Sequence, residues 1–553
     1  MKSNITIAAL FILFLIGALV SCDICNSEDL APNPIIVPDN YEKIQSAIDA
    51  AKMFDTIRVK NGLYKEHIQI NKPLKVLGEG NSVIIQWNGG GHVVLIGQTY
   101  NVVFEGFTVD GSENTHWAGI RVEQSTNITI TNNTIINGHR GIWLWDTQNC
   151  SFRDNHLYGN TYNLEVWGLT QTHFMHSIDE SNTIEGKPVY YWVNQKNRQI
   201  PSDAGYVGIV NSSNILVKDL SLTKNAHGVL LAHSNNCLVE NVSLSHNIRG
   251  IQVVISDNST LVGNNISDCE ESGIVLTSSR NNRIINNVIE RNRWGIWFLS
   301  RDALASVEHP TVHNLVNGNY IKNNYFGIYF SESHNNTISN NVVSENEYGF
   351  QIINSNNNSV YHNNFLNNTF QVAAFGSISF NTWDIGYTLG GNQWSDYSGV
   401  DMKRGLYQNE SGCDGIGDTS YLIHGSAFDR YPLVPPKIDF SFQPLSPKVS
   451  DEITFSGILL TSCTNISSWK WGMSDGSVIS GQNVTHKFVE EGSYNVSLVV
   501  TDSRGAVGII EKSVNIVSST SEDASTLVIG VIIGVVLSLS IVIGYFVWKL
   551  RKR

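Results

Sequence analysis

Charged and aromatic side chains recur on one beat of this sequence. Arg121 and Glu123 stand at the second and fourth positions after Gly119, Trp143 and Trp145 after Gly141, and Glu165 and Trp167 after Asn163. Pro188 and Tyr190 follow Gly186 in the same way, and Trp297 and Tyr329 take the second position after Gly295 and Gly327. Aromatic faces beside carboxylates suit sugar rings, whose C–H faces stack while their hydroxyls hydrogen-bond. Arg121, Trp143, Trp145, Trp167, Tyr190, Trp297 and Tyr329 are therefore the substrate-binding candidates. Exposed tryptophans in a row are costly unless used or covered, so a covering loop is the competing reading.

Two carboxylates flanking a glycosidic bond can cleave it, one as acid and the other as base or nucleophile. Glu123 and Glu165 lie two repeats apart. Strand spacing then puts them ~9–10 Å apart, at the edge of the ~6.5–9.5 Å range of inverting glycosidases. Asp146 is a third carboxylate nearby. A lyase would need a calcium-binding acid cluster with an Arg or Lys base. Arg121, Arg140 and Arg249 are available, but no tight acid cluster accompanies them. Asp414 and Asp418 bracket Gly-Ile-Gly, with Asp396 and Asp401 upstream. Hard oxygen ligands at short spacing suit calcium, making Asp401, Asp414 and Asp418 the metal candidates against a plain glycine-rich turn.

These residues need a scaffold, and the spacing names one. Asn occurs 61 times in 553 residues, 46 of them between 101 and 368. Asn is favoured at turns, so the stretch is either disordered or a repeat with Asn at a fixed corner. The markers Gly119, Gly141, Asn163, Gly186, Gly208, Gly228, Gly250, Gly273, Gly295, Gly327 and Gly349 are separated by 20–23 residues, with one step of 32. The ten extra residues, within 301–314, read as a loop insertion. A second marker keeps step at Asn127, Asn149, Asn214, Asn236, Asn258, Asn281, Asn335 and Asn357. Alternation turns Ile142 and Leu144, Val229 and Leu231, and Ile296 and Phe298 inward. A coil of this length cannot bury that face alone, whereas stacked coils can. The prediction is an all-β parallel β-helix with an Asn corner ladder that tolerates left-handed backbone. Ile44, Ala47, Ile48 and Ala51 have helical spacing, and Asp39 with Glu42 suggests a capping box. This helix should cover the open end of the helix of strands.

Residues 37–80 (VPDNYEKIQSAIDAAKMFDTIRVKNGLYKEHIQINKPLKVLGEG) resemble the start of NosD-type proteins of the carbohydrate-binding and sugar-hydrolase (CASH) class. Residues 186–208 (GKPVYYWVNQKNRQIPSDAGYVG) resemble a motif of its archaeal cell-surface members. So do 381–401 (NTWDIGYTLGGNQWSDYSGVD) and 414–433 (DGIGDTSYLIHGSAFDRYPL). The resemblance covers roughly residues 35–435 and implies a right-handed coil, but no single reaction. NosD-type proteins are linked to copper-enzyme maturation, and copper would call for soft or imidazole ligands. The only compact group, His173-Phe174-Met175-His176, reads as a solvent-facing loop. Residues 468–476, 485–488, 492–498 and 501–502 resemble a polycystic-kidney-disease (PKD) repeat, which implies a β-sandwich with a stalk role. Met473-Ser474 replaces the family's usual Phe-Gly before Asp475-Gly476.

The expected organisation is a signal peptide at 1–22, a cap with the first coils at 35–100, and β-helix repeats at 101–380. The C-terminal part of that module spans 381–436, and the PKD-like sandwich spans 437–517. A linker at 518–526 leads to a transmembrane helix at 527–548 and a basic cytoplasmic tail at 549–553, which places the preceding domains outside. Of seven cysteines, Cys22 and Cys25 sit at the signal boundary, and the other five are scattered, an odd number without CxxC spacing, which argues against a disulfide scaffold or a zinc site while leaving room for one bridge. Sequons in the ladder are expected to be unavailable, leaving Asn465, Asn483 and Asn495 as glycosylation candidates. A net charge of −13 and no basic stripe exclude nucleic acid as a partner. The expected function is a membrane-anchored surface protein that binds polysaccharide or envelope glycans without catalysis. A surface hydrolase or lyase, a structural envelope component and a copper-related accessory protein are the alternatives.

Overall fold

The computed structural model describes residues 33–300 and 310–518. It divides after Arg280 into two compact units. The expectations for residues 1–22 and 527–553, and all but Ser518 of the linker, fall outside the described residues. Among the described residues no helix is long and apolar enough to cross a membrane.

The first unit is a parallel β-helix. Arg140 aligns with Ala118 on one neighbouring strand and with Tyr162 on the other, each 22 residues away. One wall is a seven-stranded sheet running from Ile35–Val37 to Ser177–Ile178. Ile142, Leu144, Val229 and Leu231 are buried, as alternation requires. Each such side chain contributes about 1.5–3 kcal/mol of apolar burial.

The capping helix spans Ile44–Ala50 and buries Ile44, Ala47 and Ile48. The capping box does not form. The helix begins after Lys43, which makes no side-chain cap, and Asp39 pairs instead with Lys60 at 2.7 Å. Glu66, from the next coil, takes over: its two carboxylate oxygens accept the Ile44 and Gln45 N–H groups at 3.0 Å each. A carboxylate from the next coil thus does the work expected of a local residue, at the helix end that favours negative charge.

Gly186 is not a coil marker. It occupies a tight hairpin in which Thr183 and Ile184 pair antiparallel with Pro188 and Lys187. The strand Tyr162–Trp167 bonds onward to a much later segment: Asn163 donates to the Lys224 carbonyl at 2.8 Å and Ala226 to the Leu164 carbonyl at 3.3 Å.

In the second unit Trp294–Leu299, Phe326–Ser331, Tyr348–Ile353 and Phe370–Phe375 align in parallel. Trp294 faces Phe326 across the 32-residue step, so the extra residues leave the register intact. Phe298 and Phe330 stack inside at 4.5 Å. The Asn pairs divide their labour. Asn335, Asn340 and Asn357 are exposed and hold the left-handed corner (φ 54°, 58° and 59°). Their successors Asn336, Asn341 and Asn358 are buried. The Asn341 Oδ1 accepts the backbone N–H and the Nδ2 of Asn319, both at 2.9 Å. Its Nδ2 donates to the carbonyls of Val316 (2.9 Å) and Ser339 (3.0 Å) and to Asn363 Oδ1 (2.8 Å).

The C-terminal sandwich packs a sheet of Lys437–Gln443, Ile453–Thr461 and Asn483–His486 on a four-stranded sheet containing Ile466–Met473 and Gly492–Asp502. Trp471 is at its centre. The Asp475-Gly476 turn forms despite Met473-Ser474, with Gly476 at φ 92° and Ser477 N–H on Asp475 Oδ1 at 2.9 Å. Among the described residues one cysteine pair is bridged, Cys413 to Cys463, joining the preceding module to the sandwich. Gln393 exchanges two hydrogen bonds with the Val507 backbone (2.9 and 2.7 Å). Asn364 donates to the Gly505 carbonyl at 3.1 Å. The sandwich therefore docks on side chains of the final coils as well as following them in sequence. Val517, which leads to the linker, pairs with Lys448 beyond the Gly492–Ile516 pairing, at the opposite end of the sheet from Val507.

Asn341→Ala should lower stability by roughly 3 kcal/mol because it strands buried backbone and amide groups, whereas Asn340→Gly should stay within about 0.5 kcal/mol because only a left-handed corner is served. Denaturant midpoints of the two variants check this; equal losses would place the stabilisation in the exposed corner instead.

Candidate functional site

Three neighbouring columns of the first unit build the site. Arg121, Trp143 and Glu165 align on successive strands; so do Glu123, Trp145 and Trp167; so do Ala118, Arg140 and Tyr162. Glu123 and Glu165 therefore sit in different columns as well as two strands apart. Strand spacing and rise put their backbone positions about 12 Å apart, wider than the separation expected from the repeat alone.

Arginines fill the space between the rings. The Arg121 guanidinium lies 3.8 Å from the Trp143 ring centre and 4.5 Å from that of Trp145, while its Nε meets Glu123 at 2.7 Å. The Arg140 guanidinium lies 4.6 Å from Trp143, and its Nε meets Glu165 at 2.6 Å. Arg249 stands 3.6 Å from the other Glu165 oxygen and 2.5 Å from Glu271. Trp143 and Trp145 stack at 5.5 Å, and Trp167 meets Trp145 edge-on at 5.4 Å. Guanidinium–indole contacts contribute up to about 2 kcal/mol when shielded from water. Trp143, Trp145 and Trp167 are half-buried. The expected open aromatic faces are thus partly occupied, by arginines of the same sheet. Trp117, 40% exposed, adds a more open ring beside them through His92.

Asp146 faces His173 at 3.2 Å, away from the two glutamate pairs. Burial depresses the imidazoles around the strip. His92, whose Nδ1 accepts the Ala118 N–H at 2.9 Å, is pushed down to about 3 by desolvation, with Arg121 adding to it. His139 is lowered and His227 lies well below its ordinary value for the same reason.

Tyr190 does not join the strip. It aligns with Val207, which aligns with the buried Val229, and its hydroxyl donates to Asp203 at 2.8 Å. The Gly186 hairpin shifts the alternation on which its placement relied. Trp297 and Tyr329 belong to the second unit, aligned and edge-to-face at 6.3 Å. Trp297 stacks on Trp294 at 4.8 Å, and Trp294, Phe326, Tyr348 and Phe370 stack in turn at 5.0–6.1 Å. Such a column presents ring edges, with only its Phe370 end exposed.

The acidic loop spends its oxygens on its own backbone. Asp401 accepts the Asp414 and Gly415 N–H groups, Asp414 that of Ile416, and Asp418 those of Met402 and Lys403, at 2.7–3.1 Å. Asp401 also lies beside the sulfurs of Cys413 and Cys463, but their disulfide bars thiolate ligation. This donor set fits a braced turn better than a calcium cage of six to eight oxygens. The His173–His176 segment is not a solvent-facing loop: Phe174 and His176 are buried, and the two His176 nitrogens meet the Cys150 N–H and the His173 carbonyl. Asn465, Asn483 and Asn495 are exposed.

Arg140, Tyr162, His227 and Arg249 each directly precede a repeat marker, a signal that groups Tyr162 and His227 with the two arginines. Glu271 gave no such signal.

The family described as "Right handed beta helix region" matches residues 61–185 and 205–381, just over half of the chain. The chain belongs to the right-handed β-helix family. The match breaks at the hairpin that interrupts the β-helix. A PKD domain matches residues 433–517. A cell surface glycoprotein of Methanothermus fervidus is 37% identical over 105 residues, 19% of this chain and 17% of that protein's length. The A-module of a mannuronan C-5 epimerase from Azotobacter vinelandii is 18% identical, covering 61% of this chain and 92% of its own, with a TM-score of 0.26. A PKD domain of a Vibrio cholerae metalloprotease is 21% identical, covering 15% of this chain and 100% of its own, with a TM-score of 0.14.

The depressed imidazoles set a pH dependence. Above about pH 6.5 folded and unfolded chains both hold them neutral; below it the unfolded chain takes up protons that the folded β-helix excludes. His92, at about 3, and His176, pushed by burial to about 4, then draw stability from the first unit as pH falls from 6.5 toward those values. Hydrogen-exchange protection of peptides within 33–280 should drop over that window. His176→Gln should flatten the drop, and an unchanged slope would refute the assignment.

Proposed function

We propose that this β-helix protein is displayed on the cell surface and binds polysaccharide or envelope glycan through the Arg121–Trp143–Glu165 strip, without cleaving it. Residues 1–22 carry it out, residues 527–548 hold it in the membrane, and the PKD domain spaces the β-helix from the anchor. The archaeal cell surface glycoprotein to which part of the chain is similar supports the location. The PKD domain has the β-helix at one end and the path to the apolar segment at the other, which suits a spacer.

One observation carries the non-catalytic reading: each strip glutamate is held by an arginine, Glu123 by Arg121 at 2.7 Å and Glu165 by Arg140 at 2.6 Å. With their backbone positions about 12 Å apart and each carboxylate bound to its own arginine, the two glutamates do not oppose one another across a single bond as cleavage requires. The same pairs fix the planar groups rigidly, which lowers the entropic cost of docking a sugar chain. Glycosylation of Asn465, Asn483 and Asn495 on the PKD domain fits a spacer exposed to solvent.

Retention of the full-length chain on a glycan panel tests the reading. Trp143→Ala should weaken binding about tenfold or more, given the ~1.5 kcal/mol or more that a shielded aromatic contact supplies. Release of shortened glycan, lost in Glu165→Gln, would replace binding with hydrolysis or elimination. No retention of any glycan would leave a structural envelope role.

A further inference from the structure

Charge balance along the strip speaks to the kind of glycan it takes. This step rests on the glycan-binding reading above. Three guanidiniums line the site, those of Arg121, Arg140 and Arg249. Three carboxylates answer them, Glu123 at 2.7 Å, Glu165 at 2.6 Å and Glu271 at 2.5 Å. Glu165 is shared, since Arg249 also stands 3.6 Å from it. These six formal charges cancel, and Glu270, hydrogen-bonded to Tyr162, adds a further carboxylate. Arg121 is further committed on its flat side, lying over Trp143 and Trp145. Of the other titratable groups around it, buried His92 and His227 are neutral at neutral pH, and Asp146 with His173 adds no excess positive charge.

An acidic polysaccharide would need an unpaired cation, because a sugar carboxylate or sulfate loses its hydration on docking and must be repaid by a charge-assisted hydrogen bond. At Arg140 or Arg249 it would bring a second negative charge beside Glu165, which is 4% exposed and already paired with both. The long-range field is also adverse, because the chain carries a net charge of −13 and repels polyanions at the encounter stage. A neutral sugar meets neither penalty. The outer N–H groups and carboxylate oxygens of the ion pairs can receive hydroxyls without breaking, and the edges of Trp143 and Trp145 and the exposed Trp117 supply apolar contact.

We infer that the strip is selective for uncharged polysaccharide and excludes uronate-rich or sulfated chains.

Affinity electrophoresis of the full-length chain in detergent would use dextran, mannan and xylan as neutral probes, and polygalacturonate and heparin as acidic ones. A neutral polymer should retard the chain, and its effect should change less than about twofold between low and high salt, since no ion pair with the ligand is screened. Glu165→Gln leaves Arg140 and Arg249 short of a partner and should create retardation by polygalacturonate that high salt abolishes. Should that variant fail to fold, Glu123→Gln, which frees the more accessible Arg121, should do the same. Retardation of the unaltered chain by an acidic polymer alone, weakened about tenfold or more by salt, would overturn the selectivity while keeping glycan binding. Retardation by none of the polymers would overturn both.

Discussion

Every coil of a β-helix turns corners whose backbone N–H groups point into a dry interior, and an unpaired buried N–H costs as much as the packing nearby gains. The buried Asn ladders answer that constraint. Each amide accepts from the coil on one side and donates toward the other, as Asn341 does with Asn319 and Asn363. A side chain that both accepts and donates can repeat indefinitely, coil upon coil. Ser residues take over the task at another corner, where Ser234 Oγ accepts the Ser212 N–H and Ser256 Oγ that of Ser234. With the corners satisfied, the strands between them are free to vary on their outward beat, and the strip is built from that freedom.

On the outward beat the molecule spends its charge in pairs. The sheet holds Arg and Glu at fixed separations, so the ion pairs form within the strip. Shielding makes them rigid, and it makes removing one partner more costly than the pair is worth. The resulting surface is planar, polar and close to neutral. Such a surface suits the proposed docking of a sugar chain.

The PKD domain is fastened to the final coils in two ways. Its loop around Gly505 and Val507 hydrogen-bonds the side chains of Asn364 and Gln393, which lie side by side on neighbouring strands of the final coils. A disulfide then ties the two parts covalently. A freely jointed domain would need neither.

The repeat period, the inward residues and the sandwich could all be read from residue order, because each depends on local alternation: Ile142 and Leu144 are buried for the same reason that Trp143 between them is not. The left-handed corners at Asn335 and Asn357 were legible too, since few residues but Asn and Gly tolerate that backbone. Contacts between residues far apart in the chain were not. Glu66 capping a helix that Asp39 and Glu42 seemed to cap, Arg249 reaching Glu165 past the Gly186 hairpin, and Arg121 covering Trp143 all depend on which strand lies beside which. The hairpin itself carried the expected glycine at nearly the expected spacing and still broke the coil, moving Tyr190 off the strip. Periodicity fixes the direction in which a side chain leaves its own strand, whereas the partner it meets is set by the neighbouring strand, and only the folded stack supplies that neighbour.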